Sequence, residues 1–208
     1  MNLELGSILT NAAAFDPKRT MIHDDLRSAL HALFDELEQL KVDYLLVGGV
    51  ALLSFVRGRN TQDIDIIIAP EDVGRMSWSG VLRDQDFGSA TYRSVAVDFL
   101  LTSNRLFEFV RASERAAITF DGRAVPSVTR EGLLLLKLYA LPSLYRQGKL
   151  DRAALYETDI LMLHQGATVD DERLLATIAG YVPKHDVQEL RNILDEQRGR
   201  RRFDSKNG

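Results

Sequence analysis

Apolar residues at Leu26, Leu30, Leu33, Leu37 and Leu40 recur at intervals of three and four, which lines one face of a helix, and the spacing predicts a helix over Met21–Lys41. The run Asp43-Tyr-Leu-Leu-Val47, stopped by Gly48-Gly49, reads as a buried strand. Val50–Val56 reads as a short helix, and Thr61–Ala69, where acids alternate with isoleucine before Pro70, as a second strand. Asp72–Arg83 is expected to be helical despite Gly74 and Gly80, with Trp78 as a packing residue. Thr91–Leu101, rich in Val, Phe and Tyr, is expected to form a third strand and Asn104–Arg115 a helix. Ala117–Phe120 and Arg123–Val125 flank Asp121-Gly122, a strong two-residue hairpin signal.

Past Pro126 the pattern turns helical throughout: Thr129–Leu141, Asp151–His164, Asp170–Ala179 and His185–Arg198. Thr129, Asp151 and Asp170 suit the N-cap position and Gly180 a helix stop. The tail Arg198–Gly208, with Arg200–Arg202, reads as a frayed, solvated end. The expected organisation is an α+β domain over 1–126 followed by a helical domain over 127–208.

Composition narrows the chemistry. With 208 residues, 45% apolar and 27% charged, the chain is an ordinary globular protein of one domain or two small ones. The absence of cysteine excludes disulfides, thiolate zinc sites and a cysteine nucleophile. His23, His31, His164 and His185 are scattered, so any metal is expected to be a hard cation on carboxylates. A net charge of -4 argues against a strongly basic nucleic-acid binder and leaves a local basic surface open. Met1–Ala14 lacks a basic segment leading into an apolar core, and Lys137 cuts the leucine run Leu133–Leu136. Neither a signal peptide nor a membrane span is expected, which points to the cytoplasm.

The most informative segments are Leu45-Leu-Val-Gly-Gly-Val50 and Arg57-Gly-Arg-Asn-Thr-Gln-Asp-Ile-Asp-Ile66. Residues two apart on a strand project to one side, so Asp63 and Asp65 aim two carboxylates at one point. Their repulsion is relieved by a cation, and Mg²⁺ favours one or two carboxylates together with substrate phosphates. Gly48-Gly49, leaving a strand and opening a helix, offers backbone N–H groups of the kind that cradle phosphates. Asp98 interrupts the apolar strand Val95–Leu101, a costly place for an acid unless it is paired or coordinating. Arg57 and Arg59 carry guanidiniums suited to phosphate oxygens.

Gly-Gly, Asp-x-Asp and a third Asp on a later strand resemble the DNA polymerase β-like nucleotidyltransferase superfamily. Tyr44–Ile68, together with Gly132-Leu-Leu-Leu-Leu-Lys137-Leu-Tyr-Ala-Leu, is similar to AbiE-type abortive-infection toxins, and the likeness spans roughly Leu40–Leu163. The resemblance implies a mixed sheet flanked by helices and then a helical half. It implies that Gly48 and Gly49 receive the triphosphate, that Asp63 and Asp65 bind metal, and that Asp98 completes the metal site and activates the attacking hydroxyl. Arg59 and Thr61 match an Arg-x-Thr lead-in on the nucleotide side, and Lys137 a lysine facing the phosphates. Asp159 matches the last acid of a Lys-Asp-x-x-Asp motif, from which this chain departs by carrying Leu155 and Tyr156 at the Lys and first Asp.

The function implied is Mg²⁺-dependent transfer of a nucleotide from an NTP to an acceptor hydroxyl, with two ions, on RNA such as tRNA, by a toxin with a cognate antitoxin. Two alternatives remain: a non-catalytic nucleotide-binding partner or scaffold of the same fold, and an enzyme modifying a protein or a small antibiotic.

Overall fold

A computed structural model describes residues 17–57, 59, 61–165 and 167–207, with side chains described between 25 and 199. The reading of Met1–Ala14 and the side chains of Arg200–Arg202 therefore lie outside the described residues. The chain divides into two compact units, Met1–Leu133 and Leu134–Gly208.

The first unit is built on a seven-stranded mixed sheet. In chain order its elements are α1 (Pro17–Gln39), β1 (Tyr44–Val47), α2 (Gly48–Leu52), β2 (Asp63–Ile68), α3 (Pro70–Val73), β3 (Ser79–Arg83), β4 (Phe87–Tyr92), β5 (Val95–Leu101), α4 (Arg105–Ser113), β6 (Arg115–Phe120) and β7 (Arg123–Val128). The sheet order is β3-β4-β5-β2-β1-β7-β6. The central strands β2 and β1 are antiparallel to each other, while β2 runs parallel to β5 and β1 parallel to β7. This position explains their composition: Leu45, Leu46, Ile64, Ile66, Ile67 and Ile68 are at most 1% exposed, each contributing roughly 1.5–3 kcal/mol by leaving water. The predicted stripe of α1 is the face it buries, with Leu26, Leu30, Leu33 and Leu37 wholly enclosed. Asn104 caps α4, its Oδ1 accepting the N–H groups of Leu106 and Phe107 at 3.0 and 3.4 Å.

Two expectations in this unit fail. Asp72–Arg83 is not one helix: α3 ends at Val73 and edge strand β3 begins at Ser79. Gly80 sits at φ +65, and the Trp78 indole leaves the helical path to donate to the Val73 carbonyl at 2.7 Å and pack 4.9 Å from the Phe99 ring. Thr91–Leu101 is not one strand but the end of a hairpin, since Tyr92 pairs with Val95 across a turn in which Arg93 and Ser94 take φ 47 and 69. The same left-handed pair of dihedrals, in Asp121 and Gly122 at φ 47 and 79, forms the β6–β7 hairpin that was predicted. The short helix also starts earlier than expected, at Gly48 itself.

Four helices carry the remaining chain: α5 (Arg130–Arg146), α6 (Leu150–His164), α7 (Asp171–Ile178) and α8 (Lys184–Asn207). Thr129 Oγ1 accepts the Gly132 N–H at 3.1 Å and the Asp170 carboxylate accepts the Arg173 N–H at 3.0 Å, as N-caps should. Asp151 does not cap: it lies inside α6, where Lys149 holds the cap position without a side-chain bond. The expected frayed tail is helical backbone through Asn207.

Within the second unit the Lys137 ammonium donates to Asp159 Oδ2 at 2.8 Å and lies 4.4 Å from the Tyr156 ring centroid. Asp159 is fully buried and Lys137 is 8% exposed. Removing the acid here leaves a buried cation that has lost its carboxylate, whereas an apolar pair leaves no charge. Asp159→Ala is therefore expected to lower unfolding free energy by about 3 kcal/mol, and Lys137→Met with Asp159→Leu by far less, as measured by urea unfolding.

Candidate active site

Gly48 ends β1 at φ +61, a left-handed conformation that glycine adopts without penalty. The turn brings the start of α2 against β2. The Gly49 N–H donates to Asp65 Oδ2 at 3.2 Å. A Cβ on Gly48 would stand 1.8 Å from that same oxygen, and one on Gly49 would stand 2.3 Å from Thr61 Oγ1. The two glycines thus permit the side chains of Asp65 and Thr61 to close on the backbone, a reason for Gly-Gly that the sequence pattern does not contain.

Strand pairing assembles the acids. On β2 the exposed-side positions alternate with buried Ile64 and Ile66, so Asp63 and Asp65 share one face. The parallel register places Asp98 of β5 directly opposite Asp65. One carboxylate oxygen from each of Asp63, Asp65 and Asp98 lies within 4.8 Å of the others, and none of the three residues is fully buried. Three converging carboxylates of this kind are a hard-oxygen donor set, suited to Mg²⁺, Mn²⁺ or Ca²⁺ and poorly suited to softer ions. Among the described residues this is the cluster of His, Cys, Asp or Glu with metal-holding geometry.

Thr61 is 6% exposed and its hydroxyl donates to Asp63 Oδ1 at 2.9 Å, with the Asp63 carbonyl at 3.3 Å. The family resemblance implies a place for this threonine on the nucleotide side; its bond to Asp63 carries no signal beyond the i, i+2 spacing. Arg59 is half-buried in the segment between α2 and β2, and Arg57 is exposed. Lys137 and Asp159 belong to the helical unit, where they bind each other.

The mixed sheet thus carries a Gly-Gly turn after β1 and three acids on β2, which pairs with β1, and on β5, which pairs with β2. The chain is similar to the crystal structure of an antigenic nucleotidyltransferase-like protein from Paracoccidioides brasiliensis, at 17% identity and TM-score 0.50, over 80% of this chain and 92% of that one. It is also similar to ANT(2″)-Ia in complex with adenylyl-2″-tobramycin, at 14% identity and TM-score 0.54, over 75% of this chain and 96% of that one. These likenesses establish the fold. No protein-family model and no curated protein matches the chain. Among the described residues no helix is long and apolar enough to cross a membrane.

Proposed function

We propose that the chain is an NTP-dependent nucleotidyltransferase, a reading carried by the convergence of the Asp63, Asp65 and Asp98 oxygens within 4.8 Å beside the Gly48-Gly49 turn. The donor set fits Mg²⁺, held by these three acids; the ion would neutralise phosphate charge and polarise the reacting phosphorus. The chain's own part is to fix geometry and move a proton. The acceptor hydroxyl oxygen forms a bond to the α-phosphorus, the bond from that phosphorus to the bridging oxygen breaks, and pyrophosphate leaves with its electron pair. Asp98 takes the hydroxyl proton, the role the superfamily resemblance gives it. Arg59 supports the nucleotide side with a charge suited to phosphate oxygens.

For the acceptor we propose an RNA hydroxyl such as a tRNA end, and for the biology a toxin with a cognate antitoxin, both on the AbiE-type resemblance of Tyr44–Ile68. The likeness to a structure holding adenylyl-2″-tobramycin favours a second reading, a small polyhydroxyl acceptor. The test uses the full chain with α-labelled NTPs, Mg²⁺, and in turn total RNA, lysate protein and an aminoglycoside. Label on RNA that disappears with EDTA is expected. Label on the antibiotic alone would transfer the proposal to the second acceptor, and NTP binding with no labelled product would overturn catalysis in favour of a nucleotide-binding scaffold.

A further inference from the structure

We propose that Thr61 is a positioning residue for Asp63, holding one carboxylate oxygen so that the other faces Asp65 and Asp98, and that it does not bind the nucleotide. The inference rests on the reading that these three acids hold a divalent cation. A hydroxyl has one hydrogen, and both acceptors within reach of that of Thr61 belong to Asp63, the nearer being Oδ1 at 2.9 Å and the other the carbonyl at 3.3 Å. With 6% of its surface exposed, Thr61 has little area to present to a ligand. Its rotamer is confined twice over: β-branching stiffens χ1, and the Gly49 backbone packs so close that a Cβ there would stand 2.3 Å from Oγ1 and 2.7 Å from the threonine Cβ.

The two acids of the motif are therefore anchored in parallel ways. Asp65 Oδ2 accepts the Gly49 N–H at 3.2 Å, and Asp63 Oδ1 accepts the Thr61 hydroxyl. Both anchors come from groups packed on each other, so the Gly-Gly turn sets the orientation of both carboxylates, one directly and one through Thr61. Hydrogen bonds behind metal-binding carboxylates typically account for 10–100-fold in metal affinity.

The probe is Mn²⁺ alone, its binding to the full chain measured by electron paramagnetic resonance of the free ion, with metal-free ATP binding and thermal melting measured alongside. Thr61→Val removes the hydroxyl at constant shape, Thr61→Ala removes it without bulk, and Thr61→Ser keeps it. Whichever of the Val and Ala variants melts cooperatively should bind Mn²⁺ about 10–100-fold more weakly, with Thr61→Ser close to wild type and metal-free ATP binding unchanged in all. Mn²⁺ affinity within about threefold of wild type in the Val or Ala variant overturns the inference, as does a loss of ATP binding with Mn²⁺ binding intact. A wild-type chain that binds no Mn²⁺ overturns the metal reading itself, and this inference with it.

Discussion

Asp65→Asn is expected to reduce nucleotidyl transfer by about 10³-fold or more while leaving the fold intact. Asp65 is where the strands meet: it pairs with Val47 on β1, stands opposite Asp98 on β5, and accepts the Gly49 N–H. Asparagine has nearly the same shape and retains an oxygen for that N–H, so the sheet has no reason to change. The lost quantity is charge at the centre of the proposed cation site. A bound metal contributes several kcal/mol of transition-state stabilisation, and each ~1.4 kcal/mol is tenfold in rate. Without metal, removing one of three neighbouring like charges should leave the melting temperature unchanged or raise it. The stabilisation that Mg²⁺ gives the wild-type chain should disappear in the variant, because only binding to the folded state produces it. Transfer within tenfold of wild type, or full Mg²⁺ stabilisation, would remove Asp65 from the site.

Much of this site was legible because its signals are local. Gly-Gly after an apolar tetrapeptide, and two acids spaced by one isoleucine, need only the period of a strand to be read. Asp98 was legible as an anomaly, an acid in an apolar strand. Its position opposite Asp65 was not, because register between distant strands is set by the assembled sheet. The two hairpins separate the cases clearly. Asp121-Gly122 announces a left-handed turn, whereas Arg93-Ser94 takes positive φ at both positions with residues that carry no such signal, so nothing in the pattern interrupts Thr91–Leu101. Strand β3 was missed for a related reason: Ser79–Arg83 is exposed at every position and has no buried face to create a period. Thr61 shows a further limit. The Arg-x-Thr match singles it out, but which atom a hydroxyl serves is decided by side-chain packing against Gly49.

Gly48→Ala tests whether the turn acts by its backbone shape or by making room for Asp65. At φ +61 any non-glycine residue costs roughly 1–2 kcal/mol. The new Cβ would also fall 1.8 Å from Asp65 Oδ2, 2.2 Å from its Cγ and 2.5 Å from its Cβ, so the carboxylate has to leave its place. Gly148 provides the control, with φ +67 and nothing within 4 Å of a built Cβ. Both alanine variants should lose about 1–2 kcal/mol in urea unfolding from the left-handed backbone. Only Gly48→Ala should lose transfer, by at least ~10²-fold, since displacing a reacting group by about 1 Å has that effect. If displacement of Asp65 is the cause, the double variant Gly48→Ala with Asp65→Asn should transfer about as poorly as Asp65→Asn alone, a large non-additivity expected of groups in direct contact. Additive losses in that cycle would mean that the glycine acts on the nucleotide independently of Asp65, returning to Gly48 the direct phosphate role that the sequence pattern suggested.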